Sequence, residues 1–158
     1  MKIFNRFRRV YVDTSVVGGA VEPEFQELKK PFWDAVADGN ISIVVSEILD
    51  RELKGAPEKV RLFFADLPES QIERVTSTEQ TEELAARYIA EGVIGRSHID
   101  DCQHIAIATV YRADCLVSLN FRHIVNANRI YQYNAINMLL GYQTIEIRAP
   151  HEVIYDKD

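Results

Sequence analysis

Short apolar runs separated by polar and glycine-containing segments recur along the chain. Residues 9–13 (RVYVD) form a β-branched and aromatic run, residues 41–45 (ISIVV) are continuously apolar, and residues 113–119 (ADCLVSL) form a third run. Runs of this length and composition are typical of strands buried on both faces of a sheet. Weaker strand patterns follow at residues 72–75 and 144–147, so strands are predicted at intervals along most of the chain.

Helices are predicted between these strands, because apolar residues there recur at helical spacing. The predicted helices cover approximately residues 31–38, 46–54, 57–67, 78–92, 100–112 and 126–140. Pro31 suits a first helical turn, and Ser46 and Thr78 are placed to cap the helices that follow them. The Gly18-Gly19 pair after the first strand is interpreted as a plain turn.

The alternation of strands and helices indicates the fold class. Strands that alternate with helices form a parallel sheet, covered by helices on both faces and joined by right-handed crossovers. A chain of 158 residues is the size of one compact domain, and it contains no internal repeat or low-complexity segment. We therefore expect a single α/β domain over residues 1–158.

Cysteine content and the lack of long apolar runs indicate the compartment. Cys102 and Cys115 are too few for a disulfide scaffold, and reduced thiols suit a cytosol. The basic N-terminal segment is not followed by an apolar run, and nowhere do about 18 uncharged apolar residues follow one another. The chain is expected to be cytoplasmic, without membrane contact.

The net charge of the chain excludes one class of nucleic-acid-binding protein. The 24 acidic and 18 basic residues give a formal charge of −6, and six acids with one arginine lie between residues 66 and 83. Broad nucleic-acid binding relies on Lys and Arg replacing counterions, so a surface that wraps a polynucleotide is excluded. Function is therefore sought in a local site.

Polar side chains follow the predicted strands where each strand ends. In parallel sheets, ligands bind outside the carboxyl ends of the strands. The candidates there are Asp13, Glu47 or Glu52, Asp100 or Asp101, and Asn120. Such oxygen groups suit Mg²⁺ or Mn²⁺. A metal of this kind would neutralise a phosphate and lower the pKa of a bound water, so the pattern predicts phosphoryl hydrolysis.

Each candidate also has a purely structural interpretation. Asp13 and Asp101 could cap helices, and Glu47 could pair with Arg51 one helical turn away. The negative charge of Glu52 in the last turn of a helix interacts unfavourably with the helix dipole, so its presence there requires a reason other than helix stability. The metal-site hypothesis therefore depends on the conjunction of these residues.

Other constellations are weaker. Residues 98–104 (HIDDCQH) contain nitrogen, oxygen and sulfur ligands, but zinc sites usually show tighter pairs such as C-x-x-C or H-x-x-x-H. His104 is expected on a helix flank, with its imidazole satisfied locally. The glycine pair lacks the spacing of nucleotide-binding loops, and no nucleophile elbow is present.

Four short motifs carry a resemblance to a known family. They are Asp13-Thr14-Ser15-Val16, Ser46 followed by Glu52-Leu53 and Gly55, residues 101–108 (DCQHIAIA) and residues 117–121 (VSLNF). In this order and spacing the chain resembles the PIN-domain ribonucleases, in particular the VapC-like toxins of bacterial and archaeal toxin–antitoxin pairs. The resemblance implies a five-stranded, mostly parallel sheet between helices and a Mg²⁺- or Mn²⁺-dependent endoribonuclease.

The resemblance also implies roles for individual residues. Asp13, Glu52 and Asp101 would be metal ligands, and Ser15 and Ser118 would hold them in place. Glu52 is preferred to Glu47 because it directly precedes a Leu and falls near a Gly, as in the family. Asp101 is preferred to Asp100 because it stands three residues before a His.

The sequence departs from the family at Asn120, where most members have a fourth Asp. An amide keeps one neutral oxygen ligand but removes a charge, so a second metal should bind more weakly. Residues 118–126 (SLNFRHIVN) look like a subgroup of PIN proteins with Asn at this position.

Partners follow from the resemblance and from nearby cations. Arg122, His123 and Arg129 follow Asn120 closely and could reach RNA phosphates. The resemblance implies a cognate antitoxin and a homodimer. Two alternatives remain at this stage: a catalytically weak PIN-fold module that binds RNA or protein, and a small-molecule phosphatase of similar fold.

Overall fold

The computed structural model describes residues 3–4 and 7–156. Its strands are β1 (Ile3–Phe4), β2 (Arg9–Val12), β3 (Ser42–Ser46), β4 (Ile72–Val75), β5 (Cys115–Val117), β6 (Ile147–Arg148) and β7 (Tyr155–Asp156). Its helices are α1 (Thr14–Ala20), α2 (Gln26–Ala37), α3 (Glu47–Leu53), α4 (Glu58–Ala65), α5 (Glu79–Ala90), α6 (Ile99–Val110) and α7 (Ala127–Leu139). Within the described residues, no helix combines the length and apolar character needed to cross a membrane.

A five-stranded sheet organises the chain. Its strand order is β4-β3-β2-β5-β6, and every neighbouring pair is parallel. The predicted sheet is confirmed, with all rather than most of its strands parallel. β2 lies at the centre, and the pairs Tyr11–Val44 and Tyr11–Leu116 are in register across it. A separate two-stranded antiparallel ladder of β1 and β7 was not predicted.

Side chains of the central strands alternate between two apolar cores, one on each face of the sheet. Tyr11, Val44 and Leu116 belong to the core formed mainly with α5, α6 and α7. Their strand neighbours, such as Val10 and Ile43, belong to the core formed with α1, α2, α3 and α4. The period-two alternation of a strand produces this division, and the expected helices on both faces are confirmed.

The interpretation of Gly18-Gly19 as a turn is wrong, because both glycines lie inside α1. The Asp13 side chain caps this helix by accepting from the backbone N–H of Val16. A Cβ at position 19 would lie 2.5 Å from Cδ1 of Leu119. Glycine there lets α1 pack closely against the loop after β5.

Three predicted boundaries also shift. Helix α2 begins at Gln26, so Pro31 lies within the helix rather than in its first turn; burial of Phe32 and Val36 outweighs the backbone hydrogen bond that proline lacks. Helix α6 begins at Ile99. The last strand of the five-stranded sheet is Ile147–Arg148 because the Asn134 side chain bonds both backbone groups of Ile145, which removes them from strand pairing.

Both cysteines are reduced and buried. Burial raises the pKa of the Cys102 thiol to about 12, which keeps it protonated at neutral pH. The two thiols therefore serve as small apolar side chains of the core.

A matched pair of leucines tests where the core lies. Leu49 on α3 is 0% exposed, whereas Leu62 on α4 is 55% exposed. Leu49→Ala is expected to lower the free energy of unfolding by about 2–5 kcal/mol, and Leu62→Ala by less than about 1 kcal/mol. Chemical denaturation measures both, and equal losses would contradict the assignment of α3 to the core.

Candidate metal centre

The carboxyl ends of the three central strands meet at one edge of the sheet. Asp13 directly follows β2, Ser118 directly follows β5, and α3, which begins immediately after β3, carries Glu52. Asp101 lies in the first turn of α6. Acidic residues that are far apart in the sequence therefore reach this edge from different elements.

Asp13 is almost completely buried, at 4% exposure. One carboxylate oxygen, Oδ1, accepts from the Ser15 hydroxyl at 2.7 Å and from the Val16 N–H at 3.2 Å. The other, Oδ2, accepts from the Ser118 hydroxyl at 2.6 Å. Both oxygens are thus held in fixed directions.

The two serines connect Asp13 to the loop after β5. The Ser15 hydroxyl accepts from the N–H of Leu119 at 2.9 Å, and the Ser118 hydroxyl accepts from the N–H of Asn120 at 2.9 Å. Each hydroxyl therefore donates to the carboxylate and accepts from the backbone. This geometry suits the supporting role expected of Ser15 and Ser118.

His104 is the buried centre of a chain of hydrogen bonds. Its Nε2 lies 2.8 Å from Oε1 of Glu52, and its Nδ1 lies 2.7 Å from the Tyr11 hydroxyl, which also contacts the Ser46 hydroxyl. An ionised Glu52 only accepts, so Nε2 donates to it. The Tyr11 hydroxyl hydrogen-bonds to Nδ1, so both ring nitrogens have partners. The expectation that protein groups satisfy the imidazole is confirmed, although both partners are distant in sequence.

The pKa values of the three acids depend on this imidazole. Burial raises the pKa of Asp13, and His104 and the hydrogen bonds oppose the rise. Burial likewise raises the pKa of Asp101, with His104 and His123 opposing it and Asp13 adding to it. At Glu52 burial is outweighed by the hydrogen bond and charge of His104, so its pKa is lowered. All three carboxylates therefore interact electrostatically with His104, but among the described residues their oxygens do not all lie within 4.8 Å of one another.

Glu47 and Asp100 have other partners. Glu47 accepts from the backbone N–H of Ser77 at 2.9 and 3.1 Å, at the start of the segment that leads into α5. Asp100 pairs with Arg51 at 2.7 Å on the surface. The pairing of Glu47 with Arg51, considered from spacing alone, does not occur. Of each alternative pair, Glu52 and Asp101 are the members beside His104.

Asn120 joins Asp101 to the loop after β5. Its Nδ2 donates to Oδ2 of Asp101 at 3.3 Å, and its Oδ1 accepts from the N–H of His123 at 3.0 Å. In the opposite orientation, the amide oxygen of Asn120 would face the Asp101 carboxylate and its NH₂ group would face the N–H of His123, and both contacts are repulsive. The amide oxygen thus faces the loop backbone, while the nitrogen faces the acid.

The three basic candidates for RNA contact differ in their surroundings. Arg122 is exposed. The Arg129 guanidinium donates to the carbonyl of Val93, which ties it to the segment before α6. The His123 ring lies 3.6 Å from Asp101, so its side chain is turned toward the acids.

Several residues at this edge were not expected from the sequence. The Thr14 hydroxyl donates to Glu52 at 2.9 Å, and Tyr11 and Ser46 form the chain that ends on His104. One signal was available: Tyr11 brings a hydroxyl into an otherwise apolar strand interior, where such a group needs a partner.

The donor set fits a hard divalent cation. In the described part of the chain, no protein donor contacts Oε2 of Glu52 or Oδ1 of Asp101, and no lysine or arginine pairs with Asp13 or Asp101. A buried carboxylate without a permanent cation is costly. Carboxylate oxygens are the ligands that Mg²⁺ and Mn²⁺ prefer.

Comparison with known proteins supports the fold. No protein-family model matches the sequence, and no curated protein sequence matches it. A chain from the crystal structure of VapBC2 from Rickettsia felis, bound to a DNA fragment from their promoter, is similar with a TM-score of 0.55 and 15% identity. The similarity covers 88% of this chain and 96% of that one. The chain therefore has an α/β fold consistent with a PIN-like domain.

Buried Asp13 should make stability depend on pH. Because folding raises its pKa, the ionised form destabilises the native state fully above the folded pKa and not at all below the unfolded pKa. We expect Asp13→Asn to raise the unfolding temperature of the metal-free protein at pH 7, by an amount that shrinks as the pH falls through the folded pKa. Thermal unfolding in chelator measures this.

The exposed Asp100→Asn variant is the control for this measurement and should not stabilise the protein. A lower unfolding temperature for Asp13→Asn at pH 7, or a difference that does not change with pH, would contradict the effect of burial on Asp13.

Proposed function

We propose that this protein is a Mg²⁺- or Mn²⁺-dependent endoribonuclease and the toxin of a toxin–antitoxin pair. The observation that carries the proposal is that Glu52 hydrogen-bonds to the buried His104 at the carboxyl edge of a parallel sheet, where Asp13 and Asp101 interact electrostatically with the same imidazole. The likeness in fold to VapBC2 supports the same reading.

Each acid would act as a ligand held by its own set of neighbours. Thr14 and His104 orient Glu52, and Asn120 holds Asp101. Such supporting hydrogen bonds direct the lone pairs of metal ligands. Bound there, the cation would supply Lewis-acid chemistry, withdrawing charge from a phosphodiester and making water more acidic. We expect products with 5′-phosphate and 3′-hydroxyl ends.

The distribution of charge favours a local grip on RNA. The acidic residues 66–83 lie on and around β4, at one edge of the sheet. The loop that carries Asn120 and exposed Arg122 follows β5, on the other side of central β2. The acidic segment, which would repel RNA phosphates, therefore lies away from the strand and loop that would bind the substrate. Arg122 is placed to contact a phosphate that flanks the cleaved bond.

We extend the proposal to a cognate antitoxin and a homodimer, which the resemblance of the sequence motifs to VapC-like toxins implies. Two exposed apolar surfaces support it. Met138 and Leu139 at the end of α7 are 66% and 71% exposed. A pocket of about 380 Å³, lined in part by Phe25, Leu28 and Phe121, adjoins the loop after β5. Exposed apolar patches commonly mark protein interfaces.

A second candidate function is a PIN-fold module that binds RNA or protein with weak catalysis. Asn120 favours it, because its amide nitrogen, rather than an oxygen, faces Asp101. A fourth oxygen ligand is then missing from the side of the site where most PIN ribonucleases have Asp.

Matched carboxyl variants test the nuclease. With Mn²⁺ and a structured RNA, Asp13→Asn, Glu52→Gln and Asp101→Asn are expected to lower cleavage about 100-fold or more, since each removes a charged ligand. Glu47→Gln and Asp100→Asn, on the same helices but with other partners, should cleave like the wild type. Gel analysis of end-labelled RNA measures the rates.

The outcomes separate the alternatives. Wild-type cleavage by both Asp13→Asn and Asp101→Asn would overturn the site assignment. RNA binding without Mn²⁺ uptake or cleavage would establish the binding module instead. Turnover of free nucleotides in preference to RNA would indicate a small-molecule phosphatase.

A further inference from the structure

A cluster of two histidines and one carboxylate lies beside the proposed nuclease centre. His98 Nδ1 is 3.8 Å from Oδ2 of Asp101, and His123 Nδ1 is 3.6 Å from the same oxygen. One potential ligand atom from each residue lies within 4.8 Å of the others. Among the described residues, this is the group of histidine, cysteine and carboxylate side chains whose ligand atoms converge in this way.

These separations are too long for hydrogen bonds, which join nitrogen and oxygen at about 2.7–3.2 Å. They are close to the spacing of ligands around a single ion. Metal bonds of about 2.1 Å in tetrahedral directions place neighbouring ligand atoms about 3.4 Å apart. Small movements of the side chains would therefore bring all three atoms to one cation.

The backbone holds both histidines in place. His98 ends a 3₁₀ turn and stands at the N-terminal boundary of α6, three residues before Asp101. The N–H of His123 donates to Asn120, and its carbonyl accepts from the Tyr133 hydroxyl at 2.8 Å. The two imidazole rings lie 3.9 Å apart between centroids, tilted by 45°. The cluster is thus largely preorganised.

The cluster is also accessible. The side chains of His98, Asp101 and His123 are 39%, 24% and 14% exposed. An ion could enter from the His98 side and keep water in its remaining positions. Three protein ligands with an open position is a common arrangement for Zn²⁺ outside purely structural sites.

We propose that His98, Asp101 and His123 form a binding site for Zn²⁺, separate in chemistry from the oxygen-ligand centre and sharing Asp101 with it. Imidazole nitrogen suits Zn²⁺, whereas Mg²⁺ prefers oxygen ligands. No tight zinc-ligand pair is visible in the sequence, because His123 is brought to the cluster only by the fold. Arg122 and Arg129 place positive charge near His123, so the carboxylate of Asp101 is required to attract the cation.

Zinc titration of the full chain tests the site. The metal-free protein is titrated with Zn²⁺ against a chromophoric chelator, without Mg²⁺ and then with a large excess of Mg²⁺. We expect one tight equivalent that Mg²⁺ does not displace. His98→Ala and His123→Ala should each weaken binding at least about tenfold. His151→Ala, which removes an exposed histidine from another part of the chain, should bind like the wild type.

The Asp13→Asn variant distinguishes the zinc-site proposal from the nuclease proposal. It should retain the zinc site, because Asp13 is not among the three ligands, while RNA cleavage is lost. If cleavage by Asp13→Asn stays at the wild-type level but zinc binding depends on His98 and His123, the assignment of Asp13 to the nuclease centre fails and the zinc site stands.

Histidine-labelled wild-type protein gives a test that needs no variant. Zinc should shift the ring ¹⁵N resonances of His98 and His123 and leave that of His151 unchanged. Unperturbed His98 and His123 resonances at saturating Zn²⁺, or wild-type affinity in both alanine variants, would overturn the proposal.

Discussion

The need to satisfy both ring nitrogens of a buried imidazole constrains the whole candidate centre. His104 is 2% exposed, and burial without partners would cost about 1–3 kcal/mol for each unpaired group. Its partners, Tyr11 on β2 and Glu52 on α3, tie the central strand and the helix after β3 to α6. The position of Glu52 is therefore set by the same hydrogen bonds that stabilise the core on that face.

The centre also contains a buried charge that destabilises the fold. Asp13 is buried and its pKa is raised, while three hydrogen bonds from Ser15, Val16 and Ser118 only partly offset the loss of water. Sites that retain such a cost are typical of function, because stability alone would favour a neutral side chain. A cation would remove most of it, and this connects the stability of the fold with the proposed chemistry.

The sequence was sufficient for the parallel sheet and for Asp13 at the end of its central strand, since strand runs and their termini are local features. Glu47 and Glu52 are five residues apart and point in different directions from α3, but only packing against α6 decides which of them faces His104. Helix α1 was not predicted, because the reason for a glycine at position 19 is its close contact with a loop 100 residues later in the chain. The contacts of Asn120 likewise form only once α6 and the loop after β5 meet.

The proposed nuclease centre requires Asp13, Glu52 and Asp101 to hold one divalent cation together. Crystals soaked in Mn²⁺, with diffraction recorded at the manganese absorption edge, measure this directly. We expect an anomalous peak bounded by these three carboxylates that disappears in Asp13→Asn crystals. The absence of a peak between them at saturating Mn²⁺ would contradict it.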